Sequence, residues 1–185
     1  MSEIRLAPMA GITDWPFRLL CFEQGCDAAT TEMISALGYV YAPKNHIQTN
    51  QLLEKAPGEG RLFVQIFGKE PELMAQAAAR LSALGRYERR IDINMGCPAH
   101  KVASSGEGSG LMRDPKKAEA IIHAVVGATD LPVSVKFRLG WDDASKNVEE
   151  LAVMAEEQGV REIAVHGRTR QQQYSGKAEW AAIGR

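Results

Sequence analysis

The chain has 185 residues, of which 45% are hydrophobic and 24% charged, with 22 Lys and Arg against 23 Asp and Glu. Those proportions are ordinary for a soluble globular protein and are enough for one sizeable core. The net charge of −1 lacks the basic excess of a broad nucleic-acid-binding surface, so any role on RNA has to rest on particular residues. The three cysteines, Cys21, Cys26 and Cys97, are odd in number and irregular in spacing. No second Cys or His pair completes a zinc pattern, so no metal is expected. Unpaired thiols suit a reducing, cytoplasmic setting. No apolar run approaches membrane-spanning length, and residues 1–5 lack a signal-peptide core.

The elements alternate between strand and helix. Residues 4–9 are predicted to form a first strand, closed by Ala10-Gly11. Thr13 or Asp14 caps a helix with Pro16 in its first turn, running to about Gln24. Residues 27–31 form a short second strand, and a looser helical region ends in the turn chemistry of Lys55-Ala56-Pro57-Gly58. Residues 62–68 are apolar almost throughout, as suits a strand covered on both faces of a parallel sheet. Pro71 opens a helix whose Leu73, Met74, Ala77, Leu81 and Leu84 recur with a 3.6 period.

The fourth strand is the most informative stretch. Ile91, Ile93 and Met95 alternate until Gly96, and Pro98 prevents continuation, so Cys97 sits just past a strand's carboxyl end. The following Ser104-Ser105-Gly106-Glu107-Gly108-Ser109-Gly110 is neither a dinucleotide fingerprint nor a phosphate loop, because the next helix starts only at Pro115. It is expected to be a mobile lid beside Cys97, with a plain flexible connection as the alternative. A helix from Pro115 to about Thr129, a fifth strand over 133–138, a helix over 147–158 and a sixth strand over 162–166 complete the series.

About six βα units without a linker predict an α/β fold, a (β/α)8 TIM barrel that is incomplete. A doubly wound sheet is the alternative. The barrel is favoured because polar residues recur at the carboxyl ends of successive strands. A full barrel needs about 250 residues, so the chain is expected to be an N-terminal fragment or an incomplete gene model, covering part of the catalytic domain.

The strand ends supply Pro8, Met9 and Ala10, then Gln65, then Asn94 and Cys97, then Lys136 and Arg138, then His166 and Arg168. Lys136 and Arg138, two apart in an apolar strand, share a face and need an anionic or other partner there. Gln65 among Val, Ile and Phe needs a hydrogen-bond partner. A planar group that becomes anionic fits this set: a lysine stabilises negative charge on a reduced isoalloxazine. A free thiol ionises near ~8.5 and stays mostly protonated at neutral pH. With no adjacent cation in sequence to ionise it, Cys97 suits a general acid at least as well as a nucleophile.

The runs Ala7-Pro8-Met9-Ala10-Gly11-Ile12-Thr13-Asp14, Gln65-Ile66-Phe67-Gly68, Asn94-Met95-Gly96-Cys97-Pro98, Lys136-Phe137-Arg138-Leu139-Gly140-Trp141 and His166-Gly167-Arg168-Thr169-Arg170 together resemble the tRNA-dihydrouridine synthases. Gly108-Ser109 with Leu111, and Tyr174-Ser175-Gly176, fit the same pattern. The resemblance spans essentially the whole chain. It implies an FMN-dependent oxidoreductase that reduces uridine to 5,6-dihydrouridine in tRNA, with NADPH as reductant, no membrane association and no expected oligomer. It implies that Pro8, Met9, Ala10, Gln65, Lys136 and His166 contact the flavin. Asn94, Arg138 and Arg168 would then contact the base or its RNA, and Cys97 would protonate C5. The base would be taken out of its stack.

The chain departs from the family at Ser104 and Ser105, where basic residues are common. On this resemblance the last two strands, with their phosphate-gripping turns, and the helical tRNA-binding domain are expected to lie outside these 185 residues. Weak FMN binding by the 185 residues alone is therefore expected. A flavin barrel acting on free pyrimidines, of the dihydroorotate or dihydropyrimidine dehydrogenase type, is the alternative enzyme. A non-catalytic barrel fragment is the alternative without turnover.

Overall fold

A computed structural model of the chain describes residues 3–42, 46–85 and 90–184, so Met1 and Ser2 of the amino-terminal reading and residues 43–45 of the looser helical region lie outside the described residues. Strands β1 (Arg5–Leu6), β2 (Ala28–Thr30), β3 (Ile34–Ser35), β4 (Arg61–Phe67), β5 (Ile91–Met95), β6 (Val133–Arg138) and β7 (Glu162–His166) form one parallel sheet. Its order is β1-β2-β4-β5-β6-β7, with β3 beside the far half of β4. Apart from the short β3, each strand thus pairs with the next in sequence, and the order never reverses. A doubly wound sheet would reverse at a switch point, so the sequential order decides for an incomplete TIM-like barrel.

The intervening helices are α1 (Trp15–Glu23), α2 (Ala36–Tyr41), α3 (Ile47–Leu52), α4 (Pro71–Ser82), α5 (His100–Ser104), α6 (Pro115–Gly127), α7 (Val148–Glu157) and α8 (Trp180–Ile183). Local chemistry sets their starts. The carboxylate of Asp14 accepts from Phe17 N with Pro16 in the first turn, and that of Asp114 accepts from Lys117 N ahead of Pro115. Both leave an orphan helix donor satisfied, and proline loses nothing at N1.

Strand alternation separates two environments. Val64 and Ile66 of β4, Ile91 and Ile93 of β5, and Val133, Val135 and Phe137 of β6 belong to one buried apolar cluster with Met74, Ala77, Leu81, Ile121 and Leu151 of the helices. The alternate residues, Gln65, Asp92, Asn94, Ser134, Lys136 and Arg138, are polar. A period of two turns them to the other face of the sheet, the inside of the curl.

Three expectations change. The first strand stops at Leu6, because Pro8 has no N–H for a ladder, and residues 7–10 line a cavity instead. Leu84 lies past the end of α4 and is exposed, whereas Met74, Ala77, Ala78 and Leu81 carry the helix's buried face.

The second half of the predicted lid over residues 104–110 is a buried brace, whereas Ser104 and Ser105 are exposed. Helix α5 runs into a 3-10 helix over Gly108–Arg113, whose residues 108–112 are all buried. Gly108 and Gly110 serve close approach, whereas Gly106 supplies a turn at φ +85°. A Cβ on Gly110 would lie 2.5 Å from the Ala103 carbonyl oxygen, and one on Gly108, at φ +55°, would lie 3.0 Å from Cys97 Cβ.

Candidate active site

The carboxyl ends of the strands surround a cavity of about 720 Å³. Of the ten residues singled out in the sequence, Pro8, Met9, Ala10, Gln65, Asn94, Cys97, Lys136, Arg138 and His166 line it. Arg168 does not. Its guanidinium donates to the Ser175 and Gly176 carbonyls and, at 3.2 Å, to His166 Nε2. It supports the histidine from behind. Sequence reading passed over Met33, His100 and Gln173, which also line the cavity, and took Tyr174 only as part of the family pattern.

The turn that carries Cys97 is held on three sides. The Asn94 side-chain oxygen accepts from Cys97 N at 2.9 Å and from Gly96 N at 3.2 Å. The carbonyl of Cys97 accepts from Ser109 Oγ at 2.8 Å and from Ser109 N at 3.2 Å, and Ser109 belongs to the buried brace. Arg138 Nε donates to the Gly96 carbonyl at 2.8 Å. Arg138 Nη1 reaches the Thr169 and Gln173 carbonyls at 3.0 and 2.7 Å, and the guanidinium lies 5.6 Å from the centre of the Tyr174 ring. Arg138 is 2% exposed. Backbone carbonyls from two loops, rather than an anion, offset its burial, and it clamps the turn after β5 to the loop after β7.

Below the turn runs a chain of polar side chains. Asn94 Nδ2 donates to Gln65 Oε1 at 2.8 Å, Gln65 Nε2 donates to Asp92 Oδ2 at 2.6 Å, and Ser134 Oγ donates to Asp92 Oδ1. Gln65 and Asp92 are paired in register across β4 and β5, as are Asp92 and Ser134 across β5 and β6. The need for a partner at Gln65 was legible from sequence. The partner, Asp92, was not singled out, although it lies within the most informative stretch.

Charge in the cavity is one-sided. Lys136 has no carboxylate within ion-pair distance among the described residues. Burial pushes its ammonium below the usual lysine range, with Asp92 opposing and Arg138 reinforcing the shift. Burial, followed by the charges of Arg138, Lys136 and Arg168, pushes His166 down to about 4. His166 is therefore neutral at physiological pH, and because Nε2 accepts from Arg168 its proton belongs on Nδ1. Outside the cavity, Arg113 and Arg170 lie 4.8 and 4.6 Å from the centre of the Trp141 ring.

The family model for dihydrouridine synthase matches residues 5–185. The chain is 45% identical over 180 residues to a probable tRNA-dihydrouridine synthase of Rhodobacter capsulatus, covering 97% of this chain and 54% of that protein. It is 43% identical over 182 residues to tRNA-dihydrouridine synthase B of Shewanella oneidensis, covering 98% and 55%. Against tRNA-dihydrouridine synthase B of Pseudomonas putida it is 44% identical over 183 residues, covering 99% and 53%. The chain spans about half the length of the curated relatives it matches. With the family model matched along nearly its whole length, the chain belongs to the dihydrouridine synthase family.

Proposed function

We propose that this chain supplies the reacting face of an FMN-dependent enzyme that reduces uridine to 5,6-dihydrouridine in tRNA. The observation that carries the reading is one cavity lined by both Cys97 and Lys136, the thiol on a braced turn and the ammonium without an ion-pair partner among the described residues.

The residues suit a flavin. Ala7, Pro8, Met9, Ala10, Ile12 and Met33 give an apolar strip for a flat ring, and Lys136 is a half-buried cation that an anionic ring edge would satisfy. Bound FMN supplies hydride, with NADPH as its source. The remaining work falls to the protein. Lys136 would hold the ring's anionic edge, and neutral His166 can accept or donate a hydrogen bond without adding charge. Asn94, Ser109 and Arg138 hold the Cys97 backbone. The Cys97 thiol would deliver its proton to C5 of a base placed in the cavity mouth. Arg113 and Arg170, stacked on Trp141 and without ion pairs among the described residues, are available to RNA phosphates.

The test is dihydrouridine formation in tRNA lacking the modification, read by mass spectrometry with FMN and NADPH supplied. For a protein completed to the length of its relatives, conversion is expected, and Cys97→Ala is expected to lower its rate by about 10²–10⁴-fold while flavin binding stays unchanged; the 185 residues alone are expected to be inactive. Reduction of free pyrimidine but not tRNA would transfer the reading to the alternative enzyme. Undiminished conversion by Cys97→Ala would remove the thiol from its role.

A further inference from the structure

We propose that Asp92 is a positioning residue that anchors the far end of a relay of side-chain amides running to the backbone of Cys97. The inference rests on the reading of Cys97 as the reacting group. Its test does not depend on flavin, uridine or turnover.

The relay can run in only one direction. Backbone N–H groups only donate, so those of Gly96 and Cys97 require the oxygen of Asn94. The Asn94 amide nitrogen is thereby turned toward Gln65, which meets it with its own oxygen. The nitrogen of Gln65 then faces away and needs an acceptor, which is Asp92 Oδ2. The other oxygen of Asp92 takes the Ser134 hydroxyl. A carboxylate accepts at both oxygens and so closes the chain; burial raises the Asp92 pKa, while the hydrogen bonds from Ser134 and Gln65 favour the ionised form that this role uses.

Each link is held in place by the sheet. Gln65 faces Asp92, and Asp92 faces Ser134, as register partners on adjacent strands. Gln65 N is tied to Thr31 Oγ1 at 3.1 Å, and Gln65 has no exposed surface. Asp92 itself is 6% exposed and forms no ion pair within contact distance among the described residues. Burying a carboxylate is costly; a core built for packing alone would place an apolar residue there, as at Ile91 and Ile93. The same alternation puts Asp92 and Asn94 on one face of β5. The acid and the residue that holds the turn therefore move together.

Exchanging donor and acceptor tests the relay. Gln65→Glu places a second acceptor against Asp92 and breaks the chain. The Gln65→Glu, Asp92→Asn double variant restores it with roles exchanged: the amide now at position 92 donates to the carboxylate now at position 65, which still accepts from Asn94. All side chains keep their size. The readout is the rate of Cys97 alkylation by iodoacetamide, resolved by peptide mass spectrometry. Cys26, whose thiol donates to the Ala28 carbonyl away from the relay, gauges global folding in the same sample.

Gln65→Glu and Asp92→Leu are expected to change the Cys97 rate by about fivefold or more, the size of one lost buried hydrogen bond, with Cys26 unchanged. The double variant is expected to return Cys97 to within about twofold of the parent. If the single variants unfold and expose Cys26 as well, recovery of both rates in the double variant supports the relay. Cys97 rates that ignore the single variants in a folded chain would overturn it. So would a double variant that is no nearer the parent, or no better folded, than the singles. Absence of dihydrouridine formation would instead count against the proposed reaction and leave these rates as they are.

Discussion

Arg5 on β1 and Glu162 on β7 form an ion pair, although their strands stand at the two ends of the sheet path. Only a sheet curled into most of a barrel brings those ends together. Arg90, just before β5, pairs with the same carboxylate, and its guanidinium lies 4.7 Å from the centre of the Phe63 ring. Arg5 also lies over that ring, at 5.7 Å, and pairs with Glu3, which in turn pairs with Arg61. The amino-terminal end of the barrel is thus closed by charge around one aromatic ring, below the cavity.

Glu162→Gln is expected to leave two guanidiniums without their shared anion. The pair is about one-third exposed, so solvent screening limits the loss to on the order of 1 kcal/mol. Burial raises the Glu162 pKa, but hydrogen bonds and charge from Arg90 and Arg5 outweigh it, and the net shift is downward. The stabilisation is therefore present above the unfolded-state value of about 4.3 and disappears as pH falls through the lower folded value. Urea unfolding at pH 7 should show the loss, and the parent and variant should converge at strongly acid pH. Equal stability at pH 7 would show that the pair does not hold the curl.

A second charge pair supports the cavity wall. Arg18, 1% exposed, donates from Nε to Glu59 at 2.6 Å and from Nη1 to the Thr13 carbonyl at 2.8 Å. The Thr13 hydroxyl is bonded to the backbone of Met9, in the segment that lines the cavity. Glu59→Ala leaves a buried cation unpaired and is expected to cost about 3–5 kcal/mol, whereas Arg18→Met with Glu59→Leu is expected to be near neutral in stability. Denaturant midpoints of the three chains measure this. A mild effect of Glu59→Ala would mean that water reaches Arg18 from outside.

Strand alternation, proline-started helices and the position of the Cys97 turn were all legible in the sequence, because each depends on residues close together in the chain. The same holds for β6 and β7, whose bounds match the apolar runs that predict them. What was not legible depends on contacts across the chain. The short strand β3 exists only because Ile34 and Ser35 meet Ile66 and Phe67. The Gly-rich run after Cys97 reads as a mobile lid, since composition does not tell freedom from crowding. The Ala103 and Cys97 contacts make it a brace. Arg138 reads as a cation in need of a partner, and its carbonyl partners come from the Gly96 turn and from the loop after β7, 31 to 42 residues away. Asp92 escaped notice because its partners sit on neighbouring strands rather than nearby in sequence.

His166 gives the site its pH signature. Burial first, then Arg138, Lys136 and Arg168, push its ring down to about 4. An unfolded histidine ionises near about 6.5. Between those values the unfolded chain takes up a proton that the folded chain refuses, so stability falls as pH drops from about 6.5 toward 4 and is unaffected above that window. Solvent screening of the partly exposed ring keeps the loss below the full linkage value. His166→Gln removes the titrating group while keeping a hydrogen-bonding side chain, and is expected to flatten stability between pH 6.5 and 4 relative to the parent. Glu162 and Asp92 are common to both chains, so their titration cancels in the comparison. A ring resonance that titrates near 6.5 in the folded protein would show that the three cations do not act on His166 as their placement requires.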